Sequence, residues 1–102
     1  MVVKKDGRRE PFDRAKLRLG IQKACEKRPI SSETIEGIVD QIEAVCRWRE
    51  EMEVNSSVIG EMVMDQLRTL DKVAYIRFAS VYRAFADLQS FEEELKALLK
   101  AR

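Results

Sequence analysis

The sequence predicts an α+β fold that is mostly α: a four-helix bundle capped by a small three-stranded β-sheet, plus a C-terminal helix. Three observations predict it. Apolar residues recur at helical spacing through most of the chain beyond residue 13. Asp6-Gly7, between two short extended runs, is a strong local hairpin signal. Met52 and Val54 then alternate in a short segment between helical stretches, offering a third strand to a hairpin that alone is marginal in water. At 102 residues the chain makes one domain, able to bury roughly 60–70% of the surface its unfolded form exposes.

The hairpin is expected over residues 2–12. A type I′ turn at Asp6-Gly7 would set Lys5 opposite Arg8, Lys4 opposite Arg9 and Val3 opposite Glu10. Alternation then places Lys4 and Arg9 on one face and Lys5, Arg8 and Glu10 on the other. Like charges directly opposite one another are destabilising, so two such pairs call for an anion. The first helix, about 13–28, starts at Asp13, carries Leu17, Ile21, Ala24 and Cys25 on one face, and stops at Pro29. Ser31 caps the second, about 31–49, with Glu33 favoured in its first turn. Ile30 and Ile35 stand at the positions of a hydrophobic staple, and Ile38, Val39, Ile42, Val45 and Cys46 extend the stripe. A strand follows at about 51–55. Ser56 or Ser57 opens a third helix, about 57–70, with Ile59, Met62, Val63, Leu67 and Leu70 inward. Asp71 caps a fourth, about 71–89, bearing Ala74, Tyr75, Phe78, Ala79, Tyr82 and Phe85. Ser90-Phe-Glu-Glu93 reads as a capping box, predicting a break near Gln89. A last helix at about 91–101 then presents Phe91, Leu95, Leu98 and Leu99, as an intramolecular cover or a subunit interface.

The net charge of +1 conceals an asymmetry. Residues 1–18 hold seven basic side chains against three acidic, leaving the rest of the chain at −3. A basic N-terminal segment on a mildly acidic body suggests a local anion site, not a surface-wide nucleic-acid binder. No apolar run approaches the ~18 residues of a membrane span, and the N-terminus lacks the apolar region of a signal peptide. Cys25 and Cys46 read as buried thiols in a reducing cytoplasm, at opposite ends of an antiparallel helix pair. Two distant cysteines without any histidine exclude an ordinary structural zinc site. There is no Walker A motif, no G-x-G-x-x-G and no nucleophile paired with a base. Catalysis is therefore not expected.

Val2-Val-Lys-Lys-Asp-Gly-Arg-Arg-Glu-Pro-Phe12, Lys16, the turn Lys23-Ala-Cys-Glu-Lys-Arg-Pro29 and Val73-Ala-Tyr-Ile-Arg-Phe-Ala-Ser-Val-Tyr-Arg-Ala-Phe85 resemble the ATP-cone. More narrowly, the segment 73–85, followed by Asp87-Leu88 and Phe91, resembles the cone of the NrdR family of bacterial ribonucleotide reductase transcriptional repressors. The resemblance covers nearly the whole chain. It implies a domain that binds ATP or dATP and uses the nucleotide to set a homo-oligomeric state, which in the repressors controls operator binding upstream of reductase genes. Val2, Lys4, Lys5, Glu10, Lys16 and Leu17 match the family's motif around the nucleotide, and Ser56, Ile59 and Tyr82 match positions on its base and sugar side. Lys5 stands where the family usually has Arg, which exchanges a planar bidentate fork for a point charge. The full repressors begin with a four-cysteine zinc ribbon that contacts DNA, and this sequence starts just after it. The resemblance thus implies either a stand-alone cone or one without its ribbon, with no zinc in this chain and operator DNA reached only through the ribbon. It further implies a bacterial cytoplasmic protein, nucleoid-associated when part of the full repressor.

Physically, a triphosphate carries about four negative charges, and Lys4, Lys5, Lys16 and the further candidate Arg9 supply charge-assisted bonds to it. Mg²⁺ would arrive with the nucleotide, bridging phosphate oxygens. Glu10 only accepts, so it suits sugar hydroxyls, an adenine amino group, or the orientation of a lysine. The alternatives are concrete. The basic hairpin also reads as a solvated edge protected by charge, and Phe78 and Phe85 read as core, leaving Tyr82 as the aromatic ligand contact. Two other functions remain open: the allosteric cone of a ribonucleotide reductase large subunit, or a small helical interaction module.

Overall fold

The computed structural model describes residues 1–48, 53–83 and 85–100. Two-residue strands β1 (Val2–Val3), β2 (Arg9–Glu10) and β3 (Val54–Asn55) form a sheet of order β2-β1-β3. Five helices follow the expected sequence order: α1 (Arg14–Ala24), α2 (Ser32–Trp48), α3 (Ser56–Leu70), α4 (Lys72–Tyr82) and α5 (Leu88–Lys100). β1 pairs antiparallel with β2 and parallel with β3, with Val2 opposite both Glu10 and Val54. Val54 donates its amide to the Met1 carbonyl at 3.0 Å. Residues 51 and 52 of the expected third strand, and Arg49, lie outside the described residues.

The register of the hairpin differs from the expected one by a residue. Val3 faces Arg9 and Val2 faces Glu10, because the loop has three residues, Lys5-Asp6-Gly7. The Gly7 amide donates to the Lys4 carbonyl at 2.9 Å, and the Lys4 amide donates to the Arg8 carbonyl at 2.8 Å. Gly7 alone takes a positive φ, +88°, the bulge residue of a type I turn followed by a left-handed position. A type I′ turn would have forced Asp6 into that region as well. Asp6 instead accepts the Arg8 amide at 3.0 Å and its Nε at 2.6 Å, a local side-chain turn. A one-residue slip sends every side chain of a strand to the other face, and here it decides which cations meet.

The capping chemistry places most helix starts. The Asp13 carboxylate accepts the Lys16 amide at 3.1 Å, Ser31 Oγ the Thr34 amide at 3.1 Å, and Asp71 the Ala74 amide at 2.9 Å. α1 ends at Ala24, short of the expected residue 28. Its exit tightens into i−3 bonds, from Glu26 to the Lys23 carbonyl and from Arg28 to the Cys25 carbonyl, and Lys27 adopts a φ of +60°. Pro29 disfavours helical backbone at the residue before it. α4 ends at Tyr82, well before the expected residue 89. α5 begins at Leu88, because Asp87 and not Ser90 is its cap: Asp87 accepts the Ser90 amide at 2.8 Å. The Ser90 amide and then the Ser90 side chain hold the Asp87 carboxyl below its ordinary range, with the Gln89 amide adding less. An ionised carboxylate at a helix N-terminus also gains from the dipole, which Ser90 cannot match.

The core lies between α1, α2, α3 and α4. Ile21, Val39, Ile42, Val63, Met64, Leu67 and Tyr75 are all but inaccessible. Val45, expected in the α2 stripe, is exposed, as is Leu70 of α3. Cys25 is buried and Cys46 half-buried. Burial, with the Asp71 charge added, pushes the Cys25 thiol up, only partly opposed by Arg77. α5 docks on α4 and contributes one buried apolar side chain, Leu98. Among the described residues, no helix is long and apolar enough to cross a membrane.

Candidate functional site

The hairpin, the first turns of α1, the start of α3 and the end of α4 converge on a cavity of about 280 Å³. The corrected register makes it. Val2, Lys4 and Glu10 share the inner face of the hairpin, while Lys16 and Leu17 enter from α1. Ser56, Ile59 and Gly60 enter from α3, and Phe78 and Tyr82 from α4. Phe12 and Gly20 complete much of the wall. Eight of the nine residues expected around the ligand therefore line one cavity. Lys5 sits at its rim, with the ammonium 5.6 Å from the centroid of the Tyr82 ring, a cation–π distance.

Arg9, the further phosphate candidate, is not among them. It lies on the outer face of the hairpin and is ion-paired with Glu53. That bond raises the Arg9 guanidinium and lowers the Glu53 carboxyl, each through the mutual hydrogen bond first. Lys4 lies 3.7 Å from Glu10, and Arg8 reaches the other oxygen of the same carboxylate at 3.7 Å. Glu10 thus stands within ion-pairing reach of Lys4 at the cavity. Lys16 stands one turn into α1 and has no side-chain ion pair among the described residues.

The aromatic wall is built on a glycine. A Cβ on Gly60 would lie 2.1 Å from Cε1 of Tyr82, so the ring rests on bare helix backbone. Tyr82 donates its hydroxyl to the Ser57 carbonyl at 2.9 Å and stacks on Phe78 with centroids 5.9 Å apart and planes 17° from parallel. Its hydroxyl is therefore engaged by the fold, and the ring is what faces the cavity. Burial pushes the phenol up, Glu61 adds to this, and Arg83 opposes it. Phe78, expected in the core, is half-buried and part of the same wall. Gly60 and Phe12 are cavity-lining positions that sequence reasoning passed over. A glycine inside a helix costs about 1 kcal/mol against alanine, but Gly20 and Gly37 carry the same cost without a ring seated on them.

No group of three or more potential metal ligands occurs among the described residues. Glu10 and Asp13 both border the cavity, but the first stands within ion-pairing reach of Lys4 and the second caps α1. The site thus offers a greasy slot with lysines at its mouth. It suits a molecule with a flat apolar part and an anionic tail.

Residues 1–88 match the family described as the ATP cone domain. The transcriptional repressor NrdR of Syntrophus aciditrophicus is 63% identical over 95 residues, which are 93% of this chain and 60% of that protein. NrdR of Geotalea uraniireducens is 59% identical over 98% of this chain and 67% of its own. NrdR of Symbiobacterium thermophilum is 60% identical over the whole chain and 68% of its own. The chain is an ATP-cone of the NrdR family. It spans about three fifths to two thirds of the length of the curated relatives it matches. Those names describe a regulator and not an enzyme.

Proposed function

We propose that this cone binds ATP or dATP in the cavity between hairpin and helices, and that the bound nucleotide sets the oligomeric state of a repressor of ribonucleotide reductase genes. The observation that carries the reading is the convergence of Val2, Lys4, Glu10, Lys16, Leu17, Ser56, Ile59 and Tyr82 on one cavity with an aromatic wall. Its volume is at the small end of ligand pockets, which begin near ~300 Å³. The base and sugar would occupy the slot against Phe78 and Tyr82, and the triphosphate would extend past the mouth to Lys4, Lys16 and Lys5. Mg²⁺ would come with the nucleotide, held mainly by phosphate oxygens and water. Glu10 and Asp13 already have partners, so neither is assigned to it. Oligomer switching follows if one assembly binds nucleotide better than another, since only differential affinity shifts such an equilibrium. The names of the relatives favour this reading over a reductase cone. Operator recognition is assigned to the zinc ribbon that the family resemblance implies, outside this sequence.

Isothermal titration with ATP and dATP, joined to size-exclusion chromatography with light scattering in each nucleotide, tests the proposal. Saturable heat and a nucleotide-dependent mass are expected. Absence of heat removes the site, and an unchanged mass removes the switch.

A further inference from the structure

Tyr82 and Arg83 are consecutive at the end of α4, and Gly60 and Glu61 are consecutive on α3. The two pairs lie against each other. Tyr82 rests on Gly60 and forms the cavity wall. Arg83 bridges Glu61 at 3.5 Å and Glu94 of α5 at 2.8 Å. Glu94 also accepts the hydroxyl of Tyr75, a side chain only 1% exposed. Arg68 donates to the same hydroxyl at 3.2 Å. Beyond this network α5 is held by buried Leu98 and an edge-on contact of Phe91 with Phe85, centroids 5.5 Å apart. The helix begins at Leu88, where the match to the cone family ends, so it is attached to the cone and not part of its common frame.

We propose that α5 is the element through which occupancy of the cavity is read out, by way of Tyr82 and Arg83. This rests on the cavity being the nucleotide site. A base against the Tyr82 ring holds that ring on Gly60. The next residue, Arg83, is then fixed between Glu61 and Glu94, and α5 is held closed on the bundle. An empty cavity leaves the ring, and hence Arg83, more freedom. The bistable element is the docking of α5, which the carboxylate of Glu94 and the side chain of Leu98 favour.

Hydrogen exchange of the α5 amides in the full chain, with and without saturating ATP, tests it, with titration calorimetry on the same samples. Exchange over residues 88–100 should slow about fivefold or more with ATP, the lower end of ordinary allosteric couplings. In Arg83→Gln, which lies outside the cavity wall, ATP should still bind while the change in α5 protection disappears. Leu98→Ala should weaken ATP binding, since coupling is reciprocal. If ATP binds but α5 protection is the same in both states, the readout is refuted and the nucleotide site stands. If Arg83→Gln retains the full protection change, the route through Arg83 is refuted. If no ATP binds, both the site and its readout fall.

Discussion

Arg14 and Lys16 are two residues apart on α1 and have opposite fates. Arg14 is embraced by Glu36 at 2.5 Å, Asp40 at 2.6 Å and Glu43 at 2.9 Å, all on α2. The hydrogen bonds it donates to Asp40 and then to Glu36 drive its guanidinium upward. Lys16 lines the cavity mouth with no ion pair among the described residues. The same division runs through the hairpin, where Arg9 is taken by Glu53 while Lys5 hovers over Tyr82. The N-terminal excess of positive charge therefore does not act as one patch. Some cations fasten elements together, and others are left to meet a ligand. What separates them is the face each occupies, which follows from strand register and helical phase.

Substitutions break this comparison in graded ways. Gly60→Ala should have the largest effect on nucleotide binding, because the new methyl must drive the Tyr82 ring off the backbone and into the cavity. Alanine gains about 1 kcal/mol in a helix over glycine, offsetting part of the overpacking cost. Calorimetry should thus show ATP binding lost in a protein that still melts cooperatively. Lys4→Ala and Lys16→Ala should each weaken triphosphate binding by roughly 1.5–3 kcal/mol, as for bonds to charged groups. Arg9→Ala should leave the affinity unchanged. Wild-type affinity in both lysine variants would overturn the site.

Arg14→Met sharpens the contrast from the other side. It should lower the melting temperature, because three carboxylates on α2 lose their common partner, yet leave ATP titrations as they were. The smallest effect concerns pH. Burial raises the Asp71 carboxyl, but the Ala74 amide and the Arg28 side chain, at 2.9 Å, outweigh it and leave the group below its ordinary value. A depressed carboxylate contributes stability above its unfolded pKa of about 3.9 and loses it as pH falls through the folded value. Asp71→Asn keeps a capping side chain but not the charge. It should be less stable than wild type at pH 7, with the gap closing below about pH 4. A gap independent of pH in thermal melts would assign Asp71 to capping alone.

Much of this was readable in the sequence, for identifiable reasons. Asp13, Ser31 and Asp71 announced their helices because capping is local chemistry, decided within three or four residues. Eight cavity residues were legible through family resemblance, and Lys16 also through its place near the start of a helix that adjoins the hairpin. Three things escaped. The hairpin slipped by one residue because Asp6 gains more from the Arg8 amide than from a left-handed backbone, and that slip carried Arg9 away from Lys4 to the opposite face. α5 starts at Leu88, capped by Asp87, because two capping signals competed within four residues and the charged one prevailed. The ring seat on Gly60 is a contact between α3 and α4, which no local pattern reports.

A crystal structure of the chain with ATP tests the central claim most directly. The triphosphate should lie within hydrogen-bonding distance of Lys4 and Lys16, with adenine against Phe78 and Tyr82 and Arg9 still on Glu53. Nucleotide density elsewhere on the molecule, with those lysines facing bulk water, would contradict it.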